Sequence, residues 1–299
     1  MLFEELRAFI AVIDNNSLTR AADALSLTQS AVSRRIQHLE EALGAELFDR
    51  NSRPPAPTAL AHRVYEQALP LMQGANRLLD ISRDNMAPTG TFRLGLTQAV
   101  AEVVLFDAVV RLREAFSSLD LRLQTEWSLS LQDRLARGAL DAIVLMMPSP
   151  GSLPEGMDGR FIDTLDVVVV QSREHPLVTV QSDITALAGQ EWILNPLGCG
   201  YRAALERAMG GAGRSVKLRV DTLGTELQLR LVSAGMGLGL VPKNLLQRSV
   251  LSEQLVVVDT LDFSMRLDVW VLQAWRMGNL KRAVDMLGNI VAECFASNK

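Results

Sequence analysis

The sequence predicts a multidomain chain: an N-terminal all-α head, a long linker helix, and a large α/β domain built as two lobes. Up to about residue 57 the apolar residues recur at helical spacing, in short runs broken by Asn, Ser and Gly. From residue 58 to about 85 they settle into alternating steps of four and three. Beyond Gly90 short apolar runs alternate with helical patterns, as in βαβ units. The 299 residues suit two or three units of ordinary size. With 48% apolar and 21% charged residues, such units can bury full cores without staples.

In "FEELRAFIAVIDNN", Leu6, Phe9, Ile10 and Ile13 form one apolar stripe, and Asn15 and Asn16 end the helix. Ser17 caps a second helix, "LTRAADALS", whose Ala21, Ala22 and Ala24 permit close approach by a neighbour. Ser26 or Thr28 caps a third, "QSAVSRRIQHLEEALG", which stops at Gly44. Val32, Ile36, Leu39 and Leu43 are predicted to face inward, with Gln29, Ser30, Ser33, Arg34 and Gln37 on the other side. "AELFDRNSRPPAPT" reads as a short extended pair with a Pro-rich tip, a β-wing.

From Thr58 to about Asn85 runs a long helix in which Val64, Ala68, Leu71, Ala75, Leu78 and Ser82 form a heptad-like seam, expected where two helices pair. Its length would be roughly 42 Å at about 1.5 Å per residue. Pro70 lies inside it and should kink it. "MAPTG", Met86 to Gly90, is expected to be a hinge.

Beyond the hinge, "FRLGL" precedes a helix from Gln98 to Phe116, and "LRLQTEW" precedes "LSLQDRLARG". "DAIVLMM" and "DVVVVQS" follow as strands. "EWILN" leads to "RAALERAM", and "VKLRVDT" to "TELQLRLVSAG". "LGLVP", "LVVVD" and "LDVWVLQA" come next, then a closing helix from about Asn279 to Phe295. This alternation predicts a largely parallel sheet. The stretch is long for one such unit, so two α/β lobes with a cleft between them are expected.

Several function classes find no support. Cys199 and Cys294 are the only cysteines, too few for a disulfide framework; reduced thiols and a cytoplasmic setting follow. Glu4 and Glu5 stand where a signal peptide needs Lys or Arg. No window approaches the roughly 18 apolar residues of a membrane helix, so no membrane partner is expected. His38, His62 and His175 are scattered, and no Cys/His cluster has zinc spacing. No nucleophile elbow or P-loop occurs, and "GMGLGLVP" starts a strand rather than opening a phosphate-binding helix. Neither a metal, nor a cofactor, nor an enzyme activity is expected.

The helix, turn and helix from Leu18 to Leu43 suit a major-groove reader, in which the second helix presents its early residues to base edges. Gln can pair with adenine, Arg with guanine, and Ser with bases or phosphate. A plain helical hairpin with a solvated polar face has the same spacing. The residue string favours the reader. "FIAVIDNNSLTRAADALSLTQSAVSRRIQHLEEALGAELFDR", gapless from Phe9 to Arg50, resembles the N-terminal domain of LysR-type transcriptional regulators. Ser17, the Ala21-Ala22 pair, Leu25, "TQSAVSRRI" and "LEEALGAELFDR" carry the resemblance.

That resemblance implies a winged helix-turn-helix over residues 1–57, a linker and dimerisation helix over 58–86, a hinge at 87–90 and an effector-binding domain over 91–299. The last would be like type 2 periplasmic-binding proteins, with lobe I over about 91–162 and 266–299 and lobe II over about 163–265. The implied protein is a cytoplasmic regulator that binds double-stranded promoter DNA and a small-molecule effector. It would pair as a homodimer, through Val64, Ala68, Leu71, Ala75 and Leu78, and assemble to a homotetramer, with RNA polymerase as a further partner. The DNA-reading residues would be Thr28, Gln29, Ser30, Ser33 and Arg34, with Arg50 and Arg53 on the wing. Two departures stand out. The family's usual Pro at the start of the recognition helix is Ser30 here, and the wing is "RNSRPPAPTALAH", with few basic residues.

Residues 1–64 hold seven basic and eight acidic side chains, a net charge of −1, against −4 for the whole chain. Each phosphate contact adds affinity through counterion release, and one such head has few to offer. Paired heads multiply them. An isolated 1–64 fragment is therefore expected to bind DNA weakly at physiological salt. Tight binding by that monomer in a gel-shift titration would contradict oligomeric binding.

In the α/β domain the resemblance places the effector at strand-to-helix turns, where free N–H groups favour anions. "FRLGLTQAVAEVVL" puts Thr97 and Gln98 there, and "LARGALDAIVL" locates Ser128, with Trp127 beside it. "LGCGYRAALERA" puts Gly198, Cys199 and Tyr201 at the cleft, and "TELQLRLVSAGMGLGLVP" makes Thr222 and Thr225 rim residues. Helix capping alone would also account for each Ser and Thr. Trp127, Met147 and Tyr201 make the expected pocket bulky, which points to an aromatic or apolar effector, with a small carboxylate still open. Peroxide-sensing members of the family carry a reactive Cys in a similar turn with a partner nine residues on. Here Ala208 and Met209 stand in that region, so a passive Cys199 is expected. A redox-responsive regulator using Cys199, and a DNA-binding regulator with no small-molecule ligand, are the alternatives.

Overall fold

Three short helices open the chain because each has a local start and stop. In a computed structural model that describes residues 2–49, 56–80, 87–154, 157–274 and 277–296, they are α1 (Leu2–Asn15), α2 (Leu18–Leu25) and α3 (Gln29–Leu43). Ser17 caps α2 by accepting from the Arg20 N–H. Thr28 caps α3 by accepting from the Ala31 N–H at 3.2 Å. Ser26, the other candidate cap, instead ends α2 in the left-handed region with φ 54°. Gly44 ends α3 at φ 66°, where a Cβ would be strained.

Phe9, Ala21, Ala22, Val32, Ile36 and Leu39 close over one another as the core of this head. Leu43 does not join them: it is the last residue before the chain turns at Gly44, and it is 46% exposed. Strands β1 (Phe48–Asp49) and β2 (Ala56–Pro57) pair antiparallel as a short wing. Phe48 of β1 meets Phe9 edge to face, at 6.0 Å between ring centroids. The wing tip, with Arg50 and Arg53, lies outside the described residues.

Helix α4 (Ala59–Asp80) follows, with Pro70 inside it. Its first turns belong to the head's core: Ala61 and Ala68 are buried there, with Val64 packed alongside. Ala68 and Val64 are thus used within the chain, whereas Leu71 and Leu78 are exposed. Ser82, the last residue of the expected seam, lies outside the described residues.

The chain divides into two compact units, residues 1–86 with 136–139 and residues 87–135 with 140–299. In the second, a nine-stranded sheet has the order β4-β3-β5-β11-β6-β9-β7-β8, with β10 also on β6. These are β3 (Gly90–Leu96), β4 (Leu119–Thr125), β5 (Ala142–Pro148), β6 (Asp158–Ser172), β7 (Glu191–Leu194), β8 (Lys217–Asp221), β9 (Leu238–Pro242), β10 (Leu255–Val258) and β11 (Met265–Gln273). Helices α5 (Gln98–Ala115), α6 (Ser128–Ala136), α7 (Gly200–Gly211), α8 (Thr225–Ser233), α9 (Lys243–Arg248) and α10 (Lys281–Phe295) cover it.

The sheet is mixed, not largely parallel. β3 runs parallel to β4 and β5 at one end, and β7 parallel to β8 and β9 at the other. Between them β11 and β6 are antiparallel to each other and to β5 and β9. The reason is chain routing. Lobe I holds β3, β4 and β5 and lobe II holds β7 to β10, and the chain crosses to lobe II along β6 and returns along β11. β6 is longer than "DVVVVQS" suggested. Its first half pairs with β11 up to Val167, and its second half pairs with β9 and β10. At the crossing the Thr164 hydroxyl donates to Asp268 at 2.7 Å, as does the Gly151 N–H at 2.8 Å. Burial raises the pKa of Asp268, but these bonds outweigh it and hold the carboxyl below its usual value.

Candidate functional site

Two faces concentrate the sequence-predicted residues, one on each unit. On the head, the inward positions of α3 leave Gln29, Ser30 and Arg34 exposed and Ser33 half-buried on the opposite side, with the cap Thr28 exposed beside them. The Ser30 hydroxyl lies 3.1 Å from that of Thr28, so Ser30 joins the cap that a proline could not extend. Behind this face Glu40 is buried, and its carboxylate accepts from the Leu47 N–H at 2.8 Å and the Phe48 N–H at 3.3 Å. It ties the wing to the reading helix. Sequence reasoning missed this tether, because a Glu within "LEEAL" looks like part of a solvated face.

On the α/β unit, a cavity of about 410 Å³ opens between the lobes, within the usual range for small-molecule sites. It brings together Thr97, Gln98, Trp127 and Ser128 with Met147, Gly198, Cys199 and Tyr201. Thr225 also lines it, whereas Thr222 does not; its hydroxyl donates to the Leu223 carbonyl. Asn195, Gln132, Met146 and Leu267 line it too and carried no motif in the sequence.

The cavity's chemistry comes from where helices begin. Gln98 and Ala99 open α5, Ser128 and Leu129 open α6, Gly200 and Tyr201 open α7, and Thr225 opens α8; all line it. The caps of α5, α7 and α8 make no side-chain cap bond within their own turns. Each helix start carries roughly half a positive charge. Four of them around one apolar space favour an anionic group with an apolar body. The Thr97 hydroxyl is buried and has no partner among the described residues. The Ser128 hydroxyl donates to the Met146 carbonyl at 3.3 Å.

Lobe II contributes a fixed polar wall. The Asn195 amide donates to the Tyr201 hydroxyl at 2.7 Å, and Arg202, itself buried, donates to the Asn195 carbonyl at 3.0 Å. Burial pushes the Tyr201 hydroxyl well above its ordinary pKa, aided by the neighbouring Cys199. Burial also pushes the Cys199 thiol up, against the opposing pull of the Arg202 and Tyr201 N–H groups. Cys294 is on α10, hydrogen-bonded to Asp107 of α5 at 3.5 Å.

A family model described as the bacterial regulatory helix-turn-helix protein, lysR family, matches residues 3–62. Another, the LysR substrate binding domain, matches residues 86–290. The RuBisCO operon transcriptional regulator of Allochromatium vinosum is 27% identical over 263 residues, covering 87% of this chain and 85% of that protein. Full-length OxyR C199D from Pseudomonas aeruginosa superposes with a TM-score of 0.78 at 17% identity, covering 99% of this chain and 96% of that one. Full-length CbnR complexed with its target DNA gives 0.60 at 18% identity, covering 98% of this chain and all of that one. Among the described residues no helix is long and apolar enough to cross a membrane.

Proposed function

The chain belongs to the LysR family of DNA-binding transcriptional regulators and is not an enzyme, and from that premise we propose that it senses a small aromatic or apolar carboxylate in the cavity between its lobes. The convergence of helix starts on one apolar space, those of α5, α6 and α7 beside the one that meets Glu102, supports this most directly. The unpartnered Thr97 hydroxyl adds a polar group that a ligand would satisfy. Effector binding there changes the angle between lobes and so the spacing of the DNA-binding heads. This is allostery only if DNA changes effector affinity by the same factor.

Thr28, Gln29, Ser30, Ser33 and Arg34 read the major groove of promoter DNA, with Arg50 and Arg53 on flanking phosphate or the minor groove. Leu71, Ala75 and Leu78 pair two linker helices. Exposed Phe106, Val110 and Leu123 on lobe I, against Leu218 and Leu227 on lobe II, support pairing of the α/β domains as well. Leu123 and Leu218 lie on β4 and β8, the strands at the two opposite edges of the sheet. A cytoplasmic homotetramer that contacts RNA polymerase is the assembly this reading expects.

Footprinting upstream of the protein's own gene, with and without a panel of aromatic carboxylates, tests the reading. Thr97→Val keeps the shape and removes the hydroxyl. It should weaken effector binding by about 2- to 12-fold, the worth of one hydrogen bond, and leave DNA affinity unchanged. A footprint that no member of the panel alters would favour a regulator without a ligand. The redox alternative finds little support: Cys199 is buried with a raised pKa, and burial disfavours the reactive thiolate.

A further inference from the structure

One of the four helix starts at the cavity is already taken. Glu102 lies on α5 in lobe I, and both its carboxylate oxygens accept from the Thr225 N–H, the first residue of α8 in lobe II, at 3.1 Å. The contact is close-fitting: a Cβ placed on Gly224, the cap of α8, would come within 3.1 Å of the same carboxylate. Gln98, at the start of α5, reaches toward it as well, 3.5 Å away. Gly224 and Thr225 line the cavity and no side chain of α8's own turn caps it. A carboxylate from the opposite lobe thus does for α8 what a ligand's carboxylate could do for α7.

We propose that Glu102 is a built-in counter-anion that occupies the α8 start, so that the cavity accepts an effector with one anionic group and discriminates against one with two. The proposal rests on the effector reading above. A ligand with one carboxylate has the starts of α5, α6 and α7 open to it. Its apolar body then meets Trp127, Met146, Met147 and Leu267. A second carboxylate directed at α8 would meet Glu102 at close range, and like charges repel. Glu102 also joins one lobe to the other at Thr225, which lines the cavity, so displacing it would remove a bond between the lobes beside the site. Charge selectivity and a link between the lobes are therefore joined in one side chain.

The test uses the full-length protein, with benzoate and isophthalate as one- and two-carboxylate probes of similar apolar body, followed by titration calorimetry. Glu102→Gln keeps an oxygen that can accept from Thr225 but removes the charge. Wild-type protein should prefer benzoate by at least about tenfold, a difference of roughly 1.4 kcal/mol. In the Gln variant isophthalate should gain about tenfold while benzoate stays within roughly threefold, the melting temperature serving as the folding control. No preference in the wild type, or an unchanged preference in the variant, overturns the proposal. So does an equal loss for both probes, which would leave Glu102 a lobe tether without charge selection. Failure of both probes to bind either chain overturns the carboxylate reading itself, and this proposal with it.

Discussion

Arg34→Ala is expected to remove specific DNA binding while leaving the fold and effector binding intact. Arg34 is exposed on α3, on the same side as Gln29 and Ser30 and away from the core made by Val32, Ile36 and Leu39. An arginine that grips a guanine edge with two hydrogen bonds contributes about 1–3 kcal/mol of discrimination. Two heads on paired half-sites double this to about 2–6 kcal/mol, or roughly 30-fold to more than 10,000-fold in affinity. A surface change of this kind shifts stability by less than about 0.5 kcal/mol. Competition gel shifts with specific and random duplexes decide the matter. If both affinities fall together, Arg34 touches phosphate and not a base.

Trp192→Ala should produce the largest loss of stability. Trp192 lies at the centre of β7, between β8 and β9, with its side chain fully buried. It packs in the cluster that contains Leu187, Leu205, Met209 and Leu238, and its indole N–H donates to the Leu187 carbonyl at 3.3 Å. Its neighbour Ile193 serves the opposite face, with Leu229 and Val232. Truncating a buried Trp costs about 3–5 kcal/mol, a large share of the roughly 5–15 kcal/mol that holds an ordinary domain. Chemical denaturation followed by circular dichroism should show the α/β unit unfolding earlier, with the head's transition unmoved. A single unshifted transition would contradict the packing role.

The helix ends were readable from the sequence because capping is local: Ser17, Thr28 and Gly44 each act within one turn. The cavity-lining residues at strand-to-helix turns were reached through the family resemblance of the motifs that carry them, not through any local rule. What depends on distant segments was not readable. The first half of β6 carries Arg160, Asp163, Thr164 and Asp166 and has no apolar run; its strand character comes from β11, far along the chain. The antiparallel middle of the sheet follows from where the chain crosses, which no window of residues records. α9, "KNLLQR", is too short to show a period. Glu102 reads as an ordinary solvated helix residue until α8 is placed opposite it. Ala68 fits a pairing seam by spacing, yet the head's core uses it first.

The routing of β6 and β11 has a consequence for how such a protein can be rebuilt. Val167, where β6 leaves β11 for β9 and β10, and Met265, where β11 begins, are cross-strand partners. Residues in such register lie only about 4.5–5.5 Å apart. Everything between them, including the α7 and α8 side of the cavity, is therefore a cassette with its entrance and exit side by side. Exchanging that cassette for one with different side chains would transplant half of a recognition surface. The strands that anchor lobe I, and the head that reads DNA, would keep their own sequence.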